Sequence, residues 1–298
     1  PAGPAMIATG AALSGLKDRR PEWKPWLAVI EEVVREAEMG RWDAAVPAFP
    51  HAPDRRAPLL ADSTIAVPVS LARRLLERLI RTATRGGTAK MATLERLAPA
   101  HLEVTALFKA SLCHEIDRVA EAAAAAGVNE EALQAAVALL ALPFLQACNR
   151  QHAAGLSESW IEAYCPVCGS WPAFAEVRGI ERTRHFRCGR CGGAWHAQAL
   201  SCPYCSMSEH DQLVALVPEQ GSSHAVIDAC KRCLGYVKTF ATLQGCAPGA
   251  VMLEDLASVD LDVAALEQGY MRPAGAECPL DVSVIEAAEP RGFFPWSR

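Results

Sequence analysis

Cys165-Pro166-Val167-Cys168, Cys188-Gly189-Arg190-Cys191, Cys202-Pro203-Tyr204-Cys205 and Cys230-Lys231-Arg232-Cys233 are four Cys-x-x-Cys pairs, separated by 19, 10 and 24 residues. A Cys-x-x-Cys turn sets two sulfurs on one side of a tight knuckle, and two knuckles on adjacent hairpins complete a tetrahedral S4 site for zinc or a single iron. The 19- and 24-residue gaps suit the two-strand excursion that each ribbon needs, and the 10-residue gap suits a link between ribbons. This spacing assigns Cys165, Cys168, Cys188 and Cys191 to one ion and Cys202, Cys205, Cys230 and Cys233 to another. The alternative is a cross-braced arrangement in which the first and third pairs share an ion. Gly169, Gly192 and Gly235 follow their pairs where a left-handed backbone is often needed. Metal binding is expected to supply much of the ribbons' folding free energy, on the order of 10 kcal/mol per site.

Around the knuckles, Ala173–Val177, Thr183–Arg187, Ala194–Gln198, Leu213–Val217, His224–Asp228 and Tyr236–Phe240 read as short strands bounded by turn residues. Phe186, Trp195 and Tyr236 are the candidates for a small apolar core. His185, His196 and His224 fall in those strands, where a surface or supporting position suits them better than ligation, because eight cysteines already fill two S4 sites. Of the other four cysteines, Cys113 and Cys148 sit on helical patterns as buried free thiols. Cys246 and Cys278 lie outside the pairs.

The N-terminal half reads as helices. Leu27, Ile30, Val33, Val34 and Ala37 have helical spacing and stop at Gly40, after which Arg41 to Pro68 reads as an irregular connection. Ser70 is placed to cap a helix with Leu71, Leu75, Leu76, Leu79 and Ile80 on its apolar face, ended by Gly86-Gly87. Pro99 precedes a helix through Leu102, Leu107, Phe108, Leu112, Ile116 and Val119 that ends at Gly127. Asn129, with Glu130 and Glu131, opens another that runs to about Cys148 and bends at Pro143. Val251–Leu266 reads as a late helix, followed by a Pro-rich, mobile tail. The expected class is therefore α+β, with a helical domain over 1–160, four-cysteine, rubredoxin-like or zinc-ribbon modules over 161–200 and 201–248, and a C-terminal helix and tail over 249–298. The helices carry no nucleotide loop and no paired carboxylates at ligand spacing, so no catalytic centre is expected there.

Composition narrows the function classes. With 298 residues, 51% hydrophobic and 21% charged, the chain is long enough for two globular domains. Its longest apolar tract, Ala132–Leu145, reads as a buried helix too short for a bilayer, so no membrane insertion is expected. The first residues show no secretory signal, and twelve cysteines without one favour metal ligation in a reducing cytosol over disulfides. The net charge of −5 offers no general attraction to nucleic acid. Residues 161–246 hold eight Lys/Arg and seven Asp/Glu, and S4 sites add further negative charge, so the basic footprint that phosphate backbones require is missing. A local patch of Arg182, Arg184, Arg187 and Arg190 is the exception. Electron transfer through iron is a second function class, and thiol–disulfide chemistry, which needs free thiolates, is a third.

The chain also resembles a known family. Cys165-Pro166-Val167-Cys168-Gly169-Ser170 with Pro172, Cys188-x-x-Cys191 with Trp195, Cys202-Pro203-Tyr204-Cys205, and Asp228-Ala229-Cys230-x-x-Cys233 with Tyr236-Val237-Lys238 resemble the FdhE-type formate dehydrogenase accessory family. Glu254-Asp255-Leu256-Ala257, Leu261-Asp262 and Glu267-x-Gly269-Tyr270-x-Arg272 extend the likeness, as do Pro143-Phe144 and the approach to Trp160 less specifically. Glu254 stands where the family more often has Asp, and Ala276 to Arg298 is longer and diverges. The resemblance implies a cytoplasmic assembly factor and not an enzyme. It carries rubredoxin-like sites, favours iron over zinc, and implies engagement of the formate dehydrogenase catalytic subunit before export.

Overall fold

The computed structural model describes residues 4–49, 56–97, 102–152, 156, 160–217 and 225–287, with side chains from Thr9 onward. Two helices open the chain, α1 (Pro4–Arg19) and α2 (Lys24–Glu38). The apolar periodicity of α2 is realised in a buried stripe of Leu27, Ile30, Val33 and Val34. Helix α3 (Val69–Gly86) packs beside it, burying Leu71, Leu75, Leu76 and Leu79. Its first bonds run from Leu71 and Ala72 N–H to the Pro68 carbonyl, so Pro68 takes the capping position expected of Ser70, which lies inside the first turn.

After a single turn, α4 (Ala89–Ala92), the expected helix beyond Pro99 is two helices, α5 (Val104–Cys113) and α6 (Ile116–Ala126). Pro99 itself lies outside the described residues. The break falls at His114, which adopts a left-handed conformation (φ 59°) while the Glu115 N–H turns back to the Ala110 carbonyl. Gly127 ends α6 in the same conformation, and Asn129 caps α7 (Glu130–Val137) by accepting from the Ala132 N–H at 3.0 Å. The chain then turns through 138–141 and does not bend at Pro143, which enters the first turn of α8 (Leu142–His152), where its missing N–H costs nothing. Taken together, Glu130–His152 is long and apolar enough to cross a membrane by length and composition, beyond the shorter tract read from the sequence. However, 78% of its most apolar window is buried inside the protein.

Of the eight strands among the described residues, six form one sheet in the order β4-β3-β2-β7-β6-β5. The first ribbon contributes β2 (Phe174–Arg178), β3 (Thr183–Arg187) and β4 (Ala194–His196), and the second contributes β5 (Leu213–Leu216), β6 (Ala225–Cys230) and β7 (Tyr236–Thr242). Each ribbon is an antiparallel meander. The two are tandem in sequence but joined side by side through a parallel pairing of β2 with β7, from Phe174↔Lys238 to Arg178↔Thr242.

Two segments expected to be irregular pair with each other. β1 (Thr64–Val67) lies within the stretch read as a connection, and β8 (Ser283–Glu286) within the stretch read as a tail; they run parallel. Exposure alternates along β1, with Ile65 and Val67 fully buried, so a half-buried strand was encoded there in only four residues. The late helix is likewise divided into α9 (Val251–Ala257) and α10 (Val259–Glu267) by Ser258, whose hydroxyl donates back to the Glu254 and Asp255 carbonyls.

Candidate metal centres

All four knuckles repeat one backbone device. The first cysteine's N–H donates to the carbonyl five residues on, and its carbonyl accepts the N–H four residues on. This gives Cys165 with Ser170 and Gly169, Cys188 with Gly193 and Gly192, Cys202 with Met207 and Ser206, and Cys230 with Gly235 and Leu234, all between 2.8 and 3.0 Å. The closing residue is left-handed in each case, with φ of 69° at Gly169, 76° at Gly192, 56° at Ser206 and 58° at Leu234. The expectation for Gly235 is thus corrected: Leu234 takes the left-handed position. Gly235 instead admits the Tyr204 ring, which a Cβ there would meet at 2.4 Å.

The knuckles bring the eight sulfurs together as the gap lengths required. Cys165, Cys168, Cys188 and Cys191 form one group and Cys202, Cys205, Cys230 and Cys233 the other, with the sulfurs of each within 4.8 Å of one another. Contacts across the groups are 3.5 Å for Cys165–Cys191 and Cys168–Cys188, 3.6 Å for Cys202–Cys233 and 3.7 Å for Cys205–Cys230. A tetrahedron with metal–sulfur bonds of about 2.3 Å has edges of about 3.8 Å, so both groups have the dimensions of an S4 centre. Backbone N–H groups of Val167, Gly193 and Gly235 point at the sulfurs of Cys165, Cys191 and Cys233 at 3.4 Å, as thiolates require.

The chemistry of the donor set makes the same point. Burial pushes the Cys165 thiol far up, while hydrogen bonds among neighbouring thiols push Cys191 up and draw Cys168 down. Four sulfurs in one dry site cannot all lose protons against each other; a cation at their centre lets them coexist as thiolates. Two metal ions could be held here, and the arrangement accepts iron and zinc alike.

The two centres differ in surroundings. All four cysteines of the first are buried and belong to the main apolar core with Phe144, Leu145 and Phe186. Arg190, inside the second knuckle, donates to the carbonyls of Ser111 and Leu112 at the end of α5 and to His114 Nε2 at 2.9 Å, tying the centre to the helical domain. The first knuckle accepts Leu59 and Leu60 N–H on its Pro166 and Val167 carbonyls. The second centre packs on a small cluster of Ile227, Ala229, Tyr236 and Ala265, and leaves Cys205 half-buried and Cys233 exposed.

What holds the second ribbon is a charge network. Lys238 has no exposed side-chain surface; its Nζ lies 2.8 Å from Asp255 Oδ1 and 2.8 Å from Asp262 Oδ2. Arg272 pairs with the same two carboxylates, and Tyr236 donates to Asp262 Oδ1 at 2.7 Å. These residues stood out in the sequence only as separate short motifs; the fold brings them to one place. Next to them, Met271 N–H donates to the Leu234 carbonyl on the exposed knuckle.

The remaining candidates settle simply. Phe186 and Trp195 are buried with ring centroids 5.8 Å apart. His185 and His196 face each other across β3 and β4, outside both sulfur groups, and His224 lies outside the described residues. Cys148 is buried, and burial raises its pKa as it does those of half-buried Cys113 and Cys246, to about 11 and about 12 for the latter two; these thiols are poor nucleophiles. Cys246 and Cys278 belong to neither sulfur group. Three of the four arginines of the expected patch are committed elsewhere: Arg187 pairs with buried Glu176 at 2.9 Å, Arg184 with Asp228 at 3.0 Å, and Arg190 is spent on α5, which leaves Arg182 exposed.

Fold and site together define a helical domain joined to paired four-cysteine, zinc-ribbon-like modules on a shared sheet. No protein-family model matches the chain. Among curated proteins it is 34% identical over 118 residues to an FdhE homologue of Aquifex aeolicus, a match covering 39% of this chain and 41% of the relative. It is 35% identical over 114 residues to an FdhE homologue of Pseudomonas aeruginosa (36% and 37%), and 32% identical over 111 residues to FdhE of Escherichia coli (37% and 35%). The matches thus span about two fifths of the curated relatives' length or less. The crystal structure of the FdhE protein from Pseudomonas aeruginosa matches 94% of this chain and 97% of its own with a TM-score of 0.57, at 23% identity, a likeness of fold. These findings support an FdhE-type protein.

Proposed function

We propose that this chain is a cytoplasmic, non-catalytic accessory protein that binds the catalytic subunit of a formate dehydrogenase during maturation, before export. The observation that carries the reading is the coincidence, in one chain, of the FdhE fold over 94% of its length with two complete four-cysteine groups. Cys165, Cys168, Cys188 and Cys191 would hold one ion, and Cys202, Cys205, Cys230 and Cys233 the other. Zinc would supply a cross-link, and iron a cross-link with a one-electron couple. Most of the arginines and acids that could mark a nucleic-acid surface or an acid–base centre are instead used within the first ribbon, between the ribbons and from ribbons to helices, which favours a scaffold that presents surface to a protein client.

The test is capture of a formate dehydrogenase catalytic subunit by the purified, metal-loaded chain, together with formate oxidation in a strain lacking it. Capture and loss of formate oxidation are expected; no capture with full oxidation overturns the reading. A second reading, rubredoxin-like electron transfer, is favoured by the exposure of Cys233. Elemental analysis with a visible spectrum separates the two metals, and zinc in both centres removes that reading.

A further inference from the structure

Four thiolates around a divalent ion leave about two negative charges in excess, and at the first centre these sit in the main apolar core, where uncompensated charge is costly. Arg190, inside the second knuckle, is the cation that reaches this centre. Arg187 and Arg184 have carboxylate partners in Glu176 and Asp228, but Arg190 pairs with no carboxylate among the described residues. Its partners are all neutral: the Ser111 and Leu112 carbonyls, His114 Nε2 and Ser170 Oγ. His114 Nε2 has to accept, because a guanidinium only donates, so that ring carries no charge.

Ser170 joins the cation to the sulfur. Its side chain is buried, and its Oγ lies 3.4 Å from a terminal nitrogen of Arg190 and 3.4 Å from Cys168 Sγ. Arg190 can only donate, and a metal-bound thiolate can only accept. The hydroxyl's single proton therefore points at Cys168 while its oxygen accepts from Arg190, and the two ends force this order whichever ion is held. The chain crosses between knuckles, since Ser170 follows the first pair and Arg190 lies inside the second. The corresponding places in the other three knuckles are Gly193, Met207 and Gly235, none with a hydroxyl. At the second centre, contacts between the sulfurs aside, hydrogen bonds to sulfur among the described residues come from backbone N–H groups alone.

We infer that Arg190 is the counter-ion of the first centre and acts through the Ser170 hydroxyl, which donates to Cys168. A hydrogen bond to a ligating thiolate draws electron density from the sulfur, lowers its reactivity and helps a buried anionic centre keep its ion. This role rests on the reading that these four cysteines hold a metal, and is independent of the accessory role.

Cobalt(II) loaded into the full chain tests it, because the sulfur-to-cobalt charge-transfer band reports the ligating sulfurs directly. Ser170→Ala keeps the knuckle's backbone bonds and removes only the hydroxyl. Part of the band should move to longer wavelength, since a thiolate without its donor gives up an electron more easily. In chelator competition the first centre should hold cobalt about tenfold more weakly and the second unchanged, with alkylation of the released cysteines assigning each loss to its centre. Arg190→Met should move the band the same way, and no further when combined with Ser170→Ala. An arginine that merely clamps α5 would leave the Ser170→Ala band where it is, and that result overturns the inference. So does an Arg190→Met shift that survives in full without the hydroxyl. If cobalt never enters the first centre of the wild type, the metal reading falls and this role with it; if it enters and the Ser170→Ala band stands still, only this role falls.

Discussion

Lys238→Met should be among the most damaging substitutions outside the sulfur ligands. In the folded chain two cations, Lys238 and Arg272, balance two carboxylates, Asp255 and Asp262, in a site where Lys238 is wholly buried. Methionine matches the length of the stem but removes the charge, leaving two carboxylates to share Arg272. Breaking a buried pair by deleting one partner costs about 3–5 kcal/mol, because the remaining charge stays desolvated and unpaired. The double variant Lys238→Met with Asp262→Leu restores one cation to one carboxylate. It gives up the Tyr236 hydroxyl's acceptor, at about 1–3 kcal/mol, and should therefore recover about 2 kcal/mol of the single loss.

Urea titration of metal-loaded protein measures these differences, and hydrogen exchange locates them in α10 and β7. The acid limb is a further check. Desolvation raises the pKa of Asp255, but Arg272 and Lys238 outweigh it and hold the carboxyl below its ordinary value of 3.8. That carboxylate's contribution is present above 3.8 and is lost as pH falls through the depressed folded value, so wild type and K238M converge in strong acid. A loss below about 1 kcal/mol at neutral pH, or a double variant no better than the single, refutes the reasoning.

Other expectations are direct. After mild chelation, N-ethylmaleimide should modify exposed Cys233 and half-buried Cys205 before any of the four buried cysteines of the first centre, as peptide mass mapping will show; the reverse order contradicts the asymmetry. Leu234→Gly should stabilise the metal-loaded chain by up to about 1 kcal/mol in urea titration, since a half-exposed leucine at φ 58° gains more from relieved backbone strain than it loses in contacts. Gly169→Ala should do the opposite, by about 2 kcal/mol or more, because its Cβ would add a 2.3 Å clash with the Cys278 carbonyl to the same backbone strain. Burial, with help from Arg190, lowers the pKa of His114 from 6.5 to about 4. The unfolded chain therefore binds the proton first, and stability held above pH 6.5 should drain away toward pH 4, by up to about 3 kcal/mol. His114→Asn, which tolerates the left-handed turn, should flatten that slope in urea midpoints measured between those limits.

The features legible in the sequence were those set by nearest neighbours. A Cys-x-x-Cys knuckle closes within six residues, so four knuckles and their pairing followed from spacing, as did strands bounded by turn residues and the Asn129 cap. What escaped was either pattern-free or non-local. Helix α1 spans an Ala- and Gly-rich stretch with no apolar stripe to betray it. The β1–β8 and β2–β7 pairings join segments far apart in sequence, and parallel register leaves no hairpin turn to read. The left-handed break at His114 was invisible because the apolar residues on either side keep helical phase across it. Lys238, Asp255, Asp262 and Arg272 carried no signal of mutual contact, since a buried ion network needs only that the fold bring its members together.

The same knuckle, used four times, produces two centres that differ in kind because of what surrounds them. In the first, the left-handed positions are glycines, and Gly169 and Gly192 let the Cys278 and Pro248 backbones approach too closely for any side chain. In the second, Ser206 and Leu234 occupy those positions at a strain of about 1–2 kcal/mol each. The first centre shares a core with helices from α1 to α9, so losing its cation would unpin that core. The second rests on four core residues and a charge network, and can open locally while the rest stays folded. A chain built to hold one centre rigid and leave the other accessible concentrates its adaptable surface at the second ribbon, where exposed Cys233 and half-buried Cys205 lie.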